Sequence, residues 1–290
     1  MPYVTVEDGV RLYYEEYGSG SHALICMQID HDRVRDSLER ELAKRGFHVY
    51  LLTNRGFGRS THICEDYGLG WYDRFADDVI AFADQMGIDR FVYSGASHGS
   101  GVGWHLALRH PERLICVYAV VAGPLSPEEF QTPSEAPIPP ILEDPIPFGT
   151  LPSDFTIPTD DPRLLARRAR NAEVDRALRA QPNYQEVFES PETLAINFGP
   201  ALAATCTEER LQEVLRTIQV PVLMLGGVDD VCSRPELMLR TAKCLPKCKL
   251  IIYSRFGHVV DIYEDLASDC ERFYRNLIET GYFYDPVVND

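Results

Sequence analysis

The chain has 290 residues, 45% of them hydrophobic, and its 44 acidic and 28 basic residues give a formal net charge of −16. This length and composition predict a folded chain with one large domain and a sizeable core, and they exclude wholesale disorder. The negative charge argues against nucleic acid and anionic membrane surfaces as partners. The charge does not identify a substrate. A small-molecule substrate is the expected partner, and the oligomeric state is left open, a homodimer included.

Alternating strand and helix patterns fill residues 1–124 and return at 218–290. Strands are predicted at 3–6, 11–17, 23–27, 47–52, 90–93, 114–121, 220–225 and 250–253. Helical spacing or helix-stop signals lie between most of these runs, as at 34–46, 75–87, 102–110, 235–245 and 262–278. This rhythm predicts an α/β fold with a mostly parallel central sheet and helices on both faces. Ligands in such sheets bind at the carboxyl ends of the strands.

The rhythm stops between residues 125 and 217. Prolines crowd residues 127–162, where they remove hydrogen-bond donors and prevent regular helix. Helical patterns then follow at 164–179, 185–188, 191–203 and 208–217. We therefore predict a core domain made of 1–124 and 218–290, with a helical lid or cap inserted at 125–217.

The eight cysteines are scattered along the chain, and several lie inside apolar runs. This distribution, with no basic and apolar leader pattern and no apolar run of spanning length, predicts a cytoplasmic protein with free thiols. Cys244 and Cys248 lie close together, but no second Cys/His pair stands near them at zinc spacing. No metal and no cofactor is expected.

Gly95-Ala96-Ser97-His98-Gly99 lies between a β-prone apolar run and a helical segment. In this setting a G-x-S-x-G stretch forms a sharp turn that exposes a serine hydroxyl at a helix N-terminus. The two glycines leave room for the turn, and the unpaired N–H groups of the helix favour negative charge. Ser97 is therefore the candidate nucleophile, and the backbone N–H of His98 is a candidate oxyanion donor.

A serine nucleophile needs a base and a group that orients the base. His258 follows the last predicted strand and Asp229 follows the strand before it, so both belong to the edge where Ser97 projects. We assign His258 as the base and Asp229 as the acid. Asp230, the next residue, is the alternative acid.

Several stretches together resemble the α/β-hydrolase fold family, in its serine-nucleophile branch of esterases and lactonases. They are the residues at 8–14, 55–60, 95–99, 110–114 and 257–258. The resemblance covers nearly the whole chain and implies the chain order Ser97, Asp229, His258 for a catalytic triad. It implies hydrolysis of a small or medium apolar carboxylic ester or lactone through an acyl-enzyme.

The loop after the third strand departs from the family, because Cys26-Met27 stands at the usual His-Gly place. Counting along the loop assigns the second oxyanion donor to the backbone N–H of Gln28, with Ile29 as the next choice. Ile29 and His31 are expected to contact the substrate.

Two alternatives stay open at this point. Ser97-His98-Gly99 and the stretch 30–34 also resemble cofactor-free ring-cleaving dioxygenases of the same fold, which use a Ser-His pair, and a C–C bond-cleaving enzyme is grouped with them. Those dioxygenases carry their acid after the sixth strand, where this chain has only Val121-Ala122-Gly123-Pro124, and this favours hydrolysis. The other alternative is a small-molecule receptor that retains the triad.

Overall fold

A computed structural model describes residues 2–29, 31, 34–125 and 156–284. Within these ranges eight strands form one sheet: β1 (Tyr3–Thr5), β2 (Arg11–Tyr17), β3 (His22–Gln28), β4 (Phe47–Thr53), β5 (Phe91–Ala96), β6 (Leu114–Val120), β7 (Val222–Gly227) and β8 (Cys248–Tyr253). Their order is β1-β2-β4-β3-β5-β6-β7-β8. The pairs β1–β2 and β2–β4 are antiparallel and the others are parallel. The carboxyl ends of the six strands β3 to β8 therefore meet at one edge.

The described helices are α1 (Leu38–Ala43), α2 (Trp71–Gln85), α3 (His98–Arg109), α4 (Pro162–Arg179), α5 (Tyr184–Phe188), α6 (Pro191–Ala195), α7 (Glu208–Thr217), α8 (Pro235–Cys244) and α9 (Tyr263–Thr280). Those from α4 to α7 lie between β6 and β7 in the sequence. No helix in the described ranges combines the length and the apolar character needed to cross a bilayer.

Alternate side chains of the strands supply two cores, one on each face of the sheet. In β3, Ile25 and Met27 belong to a cluster with residues of α2 and α3, whereas Leu24 and Cys26 belong to a second cluster with residues of α1 and α9. Successive side chains of a strand point to opposite faces. A central strand therefore needs apolar side chains on both faces, and the predicted α/β sheet with helices on both faces is confirmed.

The bounds of several elements differ from the predicted ones. The helix predicted over 191–203 stops at Ala195, and Gly199 with a φ of +60° and Pro200 follow in irregular chain. Strand β7 begins at Val222 and not at 220, since Pro221 has no N–H for the ladder. Irregular chain is predicted for the proline-rich stretch at 127–162. Most of that stretch belongs to residues 126–155, which lie outside the described ranges. The division into core and lid stays a prediction.

Candidate active site

Ser97 occupies a sharp turn between two regular elements. Strand β5 ends at Ala96, helix α3 begins at His98, and Ser97 between them has φ +51° and ψ −113°. A non-glycine residue rarely adopts such a positive φ, and the strain persists only where the surroundings enforce it. The turn aims the Ser97 hydroxyl away from the sheet edge, and the residue is exposed.

The glycines on either side make this turn possible. A Cβ at Gly95 would lie 2.3 Å from the carbonyl carbon of Gly99, and a Cβ at Gly99 would lie 2.6 Å from Nε2 of Gln28. A hydrogen bond also ties the turn to the end of β6: the N–H of Ser97 donates to the carbonyl of Val120 at 2.9 Å. The G-x-S-x-G spacing is therefore a steric requirement of this backbone.

The structure brings Ser97 and His258 together. His258 lies in the loop between β8 and α9, and its Nε2 is 2.9 Å from Oγ of Ser97. Its Nδ1 is 3.0 Å from each carboxylate oxygen of Asp230. A carboxylate can only accept, so Nδ1 carries the proton and Nε2 is left free to accept from the serine hydroxyl.

Asp230, and not Asp229, is the residue beside His258, so the predicted acid is corrected by one position. Asp230 is 3% exposed, and its Oδ1 also accepts from the N–H groups of Cys232 at 2.8 Å and Ser233 at 2.9 Å. The Asp229 side chain is exposed, and its N–H donates to the carbonyl of Phe256 at 2.9 Å. Asp229 therefore joins the two loops through its backbone, and Asp230 turns its carboxylate inward.

The thiol of Cys232 lies close to this pair. Donor atoms of Asp230, Cys232 and His258 all lie within 4.8 Å of one another, a separation that could hold a metal ion. Burial and the neighbouring Asp230 carboxylate raise the pKa of the Cys232 thiol to about 11, so it is protonated at neutral pH. Because Asp230 and His258 already bind each other, the arrangement is better suited to proton transfer than to metal binding.

One predicted oxyanion donor has the required place and the other does not. The N–H of His98 belongs to the first residue of α3, where N–H groups have no partner within the helix. Gln28 is the last residue of β3 and pairs with Thr53 of β4, and its carbonyl accepts from the N–H of Asn54 at 3.2 Å. The N–H and C=O of one strand residue point to the same side, so the N–H of Gln28 faces β4. The Gln28 prediction is corrected accordingly.

The side chain of Gln28 has a structural task. Its Nε2 donates to the carbonyl of Ala96 at 2.8 Å and lies over Gly99. It thus ties the end of β3 to the serine turn. Ile29, the next choice, begins the turn that leaves β3. It stands outside the regular strand, directly after Gln28, and stays the candidate for the second donor.

The family follows from comparison with known proteins. Residues 30–265 match the sequence model of the family described as alpha/beta hydrolase fold. The chain belongs to the α/β-hydrolase fold family. It is 27% identical over 278 residues to the bifunctional esterase/perhydrolase DCH of Acinetobacter calcoaceticus, covering 89% of this chain and 93% of that protein. The predicted family and the prediction of a hydrolase enzyme are confirmed.

Solved structures agree with this placement. An enzyme described as degrading N-acyl homoserine lactones is similar with a TM-score of 0.57 and 25% identity, over 96% of this chain and 100% of that one. A meta-cleavage product hydrolase from Pseudomonas fluorescens IP01 is similar with a TM-score of 0.64 and 20% identity, over 96% of each chain. The second likeness shows the shared fold alone.

The ring of His98 takes a part that sequence reasoning missed. Its centroid lies 4.4 Å from that of Phe198 and 5.5 Å from that of Tyr72, and its Nε2 is 3.1 Å from Nδ2 of Asn54. Burial lowers the pKa of His98 to about 3, so the ring is neutral. In this α/β-hydrolase, His98 therefore joins the serine turn to Phe198, which comes from the chain between β6 and β7.

The predicted substrate contact His31 is buried elsewhere. Its ring is 5% exposed and stacks on Tyr13 of β2, with centroids 6.4 Å apart, and burial lowers its pKa to about 4. No described contact joins His31 to Ser97 or His258. Its contact with the substrate stays a prediction. The contribution of Ile29 to binding likewise stays a prediction.

Proposed function

We propose that the chain is a serine hydrolase that cleaves small or medium apolar carboxylic esters or lactones through an acyl-enzyme. The observation that carries this proposal is the hydrogen-bonded row Ser97 Oγ, His258 Nε2, His258 Nδ1 and Asp230, with distances of 2.9 and 3.0 Å. The strained turn presents the hydroxyl at the start of α3, as acyl transfer to serine requires.

In the first half of the proposed reaction, Nε2 of His258 takes the proton of Ser97 as Oγ attacks the ester carbonyl. The imidazolium that forms is stabilised by Asp230, which keeps its charge. The tetrahedral intermediate then collapses, the C–O bond to the leaving group breaks, and Nε2 returns the proton to the departing alkoxide. An acyl group remains on Ser97.

In the second half, His258 takes a proton from water, and the hydroxide equivalent attacks the acyl carbonyl. Collapse breaks the bond to Oγ, and the proton returns to Ser97. In both halves the negative oxygen is held by backbone N–H groups, one from His98 and one from the turn after β3 that begins at Ile29. Each such donor is worth about 10²–10³-fold in turnover.

The apolar character of the substrate is supported by the side chains around the triad. Phe198 packs on Phe57 with centroids 6.1 Å apart, and Val228 and Val231 are 46% and 42% exposed on the loop that carries Asp230. The similar proteins named above include an esterase and an N-acyl homoserine lactone degrading enzyme. Eight free cysteines are compatible with a reducing, cytoplasmic setting.

The position of the acid supports hydrolysis over the dioxygenase alternative. Asp230 follows β7, whereas the residues after β6, at 121–124, carry no carboxylate. The ligand-receptor alternative keeps the same three residues, so geometry does not separate it from an enzyme. Turnover does.

The test is covalent trapping combined with turnover. An alkyl fluorophosphonate is expected to add one adduct at Ser97, found by peptide mass spectrometry, and p-nitrophenyl butyrate is expected to be hydrolysed. Ser97→Ala should lose the label and at least about 10³-fold of the turnover. An active wild-type enzyme that takes no label would refute the acyl-enzyme, and a labelled protein without turnover on any ester or lactone would indicate a receptor.

A further inference from the structure

Helix α4 docks on the rest of the molecule mainly through polar groups. Its buried residues are Leu164, Arg167, Asp175 and Leu178, so only two of them are apolar. The middle of the helix, over 167–171, reads Arg-Arg-Ala-Arg-Asn. Side chains three and four positions apart share one face of a helix. These cations and the amide therefore reach the same part of the surface.

The first part of this face holds the loop that carries His258. Arg168 binds the carboxylate of Asp261 with Nε to Oδ2 at 2.6 Å and Nη2 to Oδ1 at 3.2 Å. Arg167, which is 6% exposed, donates to the backbone carbonyl of Asp261 and to Glu264. Asp261 is 2% exposed and lies three residues after His258. The loop that carries His258 is thus fixed by a two-point contact to a buried carboxylate.

The second part of the same face holds the segment between β3 and α1. Oδ1 of Asn171 accepts from two successive backbone N–H groups, those of Arg35 at 3.0 Å and Asp36 at 3.1 Å. Arg170 donates to Oδ2 of Asp36 through Nε at 3.0 Å and Nη2 at 2.6 Å. Arg35 lies six residues in the sequence after Ile29, to which the second oxyanion donor is assigned.

We propose that residues 167–171 of α4 form a clamp between two segments. One is the histidine loop, between β8 and α9, and the other is the segment between β3 and α1, called the oxyanion loop. The clamp holds the two in a fixed relative position. Arg168 is the positioning residue for His258, and Asn171 is the positioning residue for the turn after β3. The inference rests on the proposed hydrolase function and deepens it. The chain between β6 and β7 then supplies part of the catalytic geometry, in addition to any cover over the substrate.

The contact between Ser97 and His258 tolerates little displacement. The distance from Ser97 Oγ to His258 Nε2 is 2.9 Å, and proton transfer degrades steeply when such a contact lengthens. A misplacement of about 1 Å caused by a change far from the reacting atoms can cost about 10²-fold in rate. Loops gain such precision only from side chains that are themselves held by packing and hydrogen bonds. Asp261 and Asn171 are each held at two points.

The test of the histidine arm is Arg168→Gln, with Arg163→Gln as the matched control. Arg163 lies on the same helix, but its side chain is 84% exposed and pairs only with Asp161 among the described residues. Arg168→Gln is expected to lower kcat about 10–100-fold with KM changed less than about threefold, and Arg163→Gln should leave both unchanged. Arg168→Lys, which keeps the charge but loses the two-point geometry, should recover part of kcat.

The test of the oxyanion arm is Asn171→Leu beside Asn171→Asp. Leucine removes the acceptor at nearly constant volume, so kcat should fall about tenfold or more. Aspartate keeps an oxygen that accepts from both N–H groups, so kcat should stay within about threefold of wild type. Leucine and aspartate variants with the same kcat, whatever their melting temperatures, would overturn the role of Asn171.

A spectroscopic measurement keeps the clamp separable from the proposed function. The Nδ1–H proton of His258, bound to a carboxylate, gives a far-downfield proton resonance in wild type that should broaden or shift in Arg168→Gln and persist in Arg163→Gln. Absence of hydrolysis and labelling in the wild type refutes the hydrolase but leaves this readout. An unchanged resonance together with unchanged kcat in folded Arg168→Gln overturns the clamp.

Discussion

Replacing Asp230 by Asn tests the assignment of the acid with little change in shape. The carboxylate has both oxygens 3.0 Å from Nδ1 of His258, and Oδ1 also accepts from the N–H groups of Cys232 and Ser233. Asparagine can keep Oδ1 on those two N–H groups. Its Nδ2 then replaces Oδ2 beside Nδ1, where it donates a proton instead of accepting one.

The consequence is a change of tautomer. Oδ1 of the new Asn is already taken by the N–H groups of Cys232 and Ser233, so Nδ2 donates to Nδ1 of His258 and the ring proton moves to Nε2. Nε2 then points a proton at Oγ of Ser97 and cannot take one from it. A wrong tautomer of this kind costs about 10⁴-fold in turnover, which corresponds to about 5 kcal/mol of transition-state stabilisation. Asp229→Asn is the matched control, because the Asp229 side chain is exposed and its N–H is retained.

The assay is kcat/KM for p-nitrophenyl butyrate at neutral pH, beside the second-order rate of fluorophosphonate labelling. Both should fall about 10³–10⁴-fold in Asp230→Asn and stay within about twofold of wild type in Asp229→Asn. Melting temperatures of the two variants check that each is folded. Equal losses in the two variants, or a larger loss at Asp229, would refute the geometry described here.

Three further predictions concern Ser97, His98 and Phe198. Ser97→Gly should have an unfolding free energy about 1 kcal/mol above that of Ser97→Ala in urea, because glycine accepts the φ of +51°; equal values would show an unstrained turn. The pKa of His98 near 3 means that the unfolded chain binds a proton which the folded chain excludes, so the unfolding free energy should fall by up to about 1.4 kcal/mol per pH unit below about pH 6.5. His98→Gln should remove this contribution and leave that of buried His31, whose pKa is lowered to about 4; an unchanged slope would contradict it. Phe198→Ala should change the kcat/KM ratio of short to long p-nitrophenyl esters while labelling of Ser97 stays within about threefold; an unchanged ratio would reduce Phe198 to packing.

Patterns that depend on near neighbours were predictable. Gly95, Ser97 and Gly99 are adjacent in the chain, and the steric conflict between Gly95 and the carbonyl of Gly99 is settled within five residues. The buried strands were predictable because a central strand such as β4 is mostly apolar on both faces and so forms a short apolar run in the sequence. The helix expected over 191–203 ends at Ala195, and Gly199 and Pro200, which a helix does not favour, were visible in the rest of the predicted range.

The choice between Asp229 and Asp230 depends on contacts across loops. Both residues follow β7 and both are carboxylates, so spacing alone does not decide between them. The N–H of Asp229 is taken by Phe256, and the Asp230 carboxylate is met by two N–H groups of its own loop. Gly227 lets the loops approach this closely, since a Cβ there would lie 2.1 Å from the carbonyl oxygen of Phe256. Which of the two carboxylates reaches His258 therefore depends on contacts between the loops after β7 and β8, and the sequence of one loop alone does not determine it.

The contacts of α4 lie further still from what a local pattern can indicate. Arg168 is separated from Asp261 by 93 positions, and Asn171 from Arg35 by 136. A helix face with several arginines and an asparagine is, by local pattern, an ordinary solvated surface. Only the fold shows that two such positions, three residues apart, reach the loop that carries His258 and the segment between β3 and α1. If the clamp is correct, Arg168 and Asn171 affect the rate of the reaction at Ser97 although they are far from it in the sequence. Substitutions on this polar face should then lower kcat more than they raise KM.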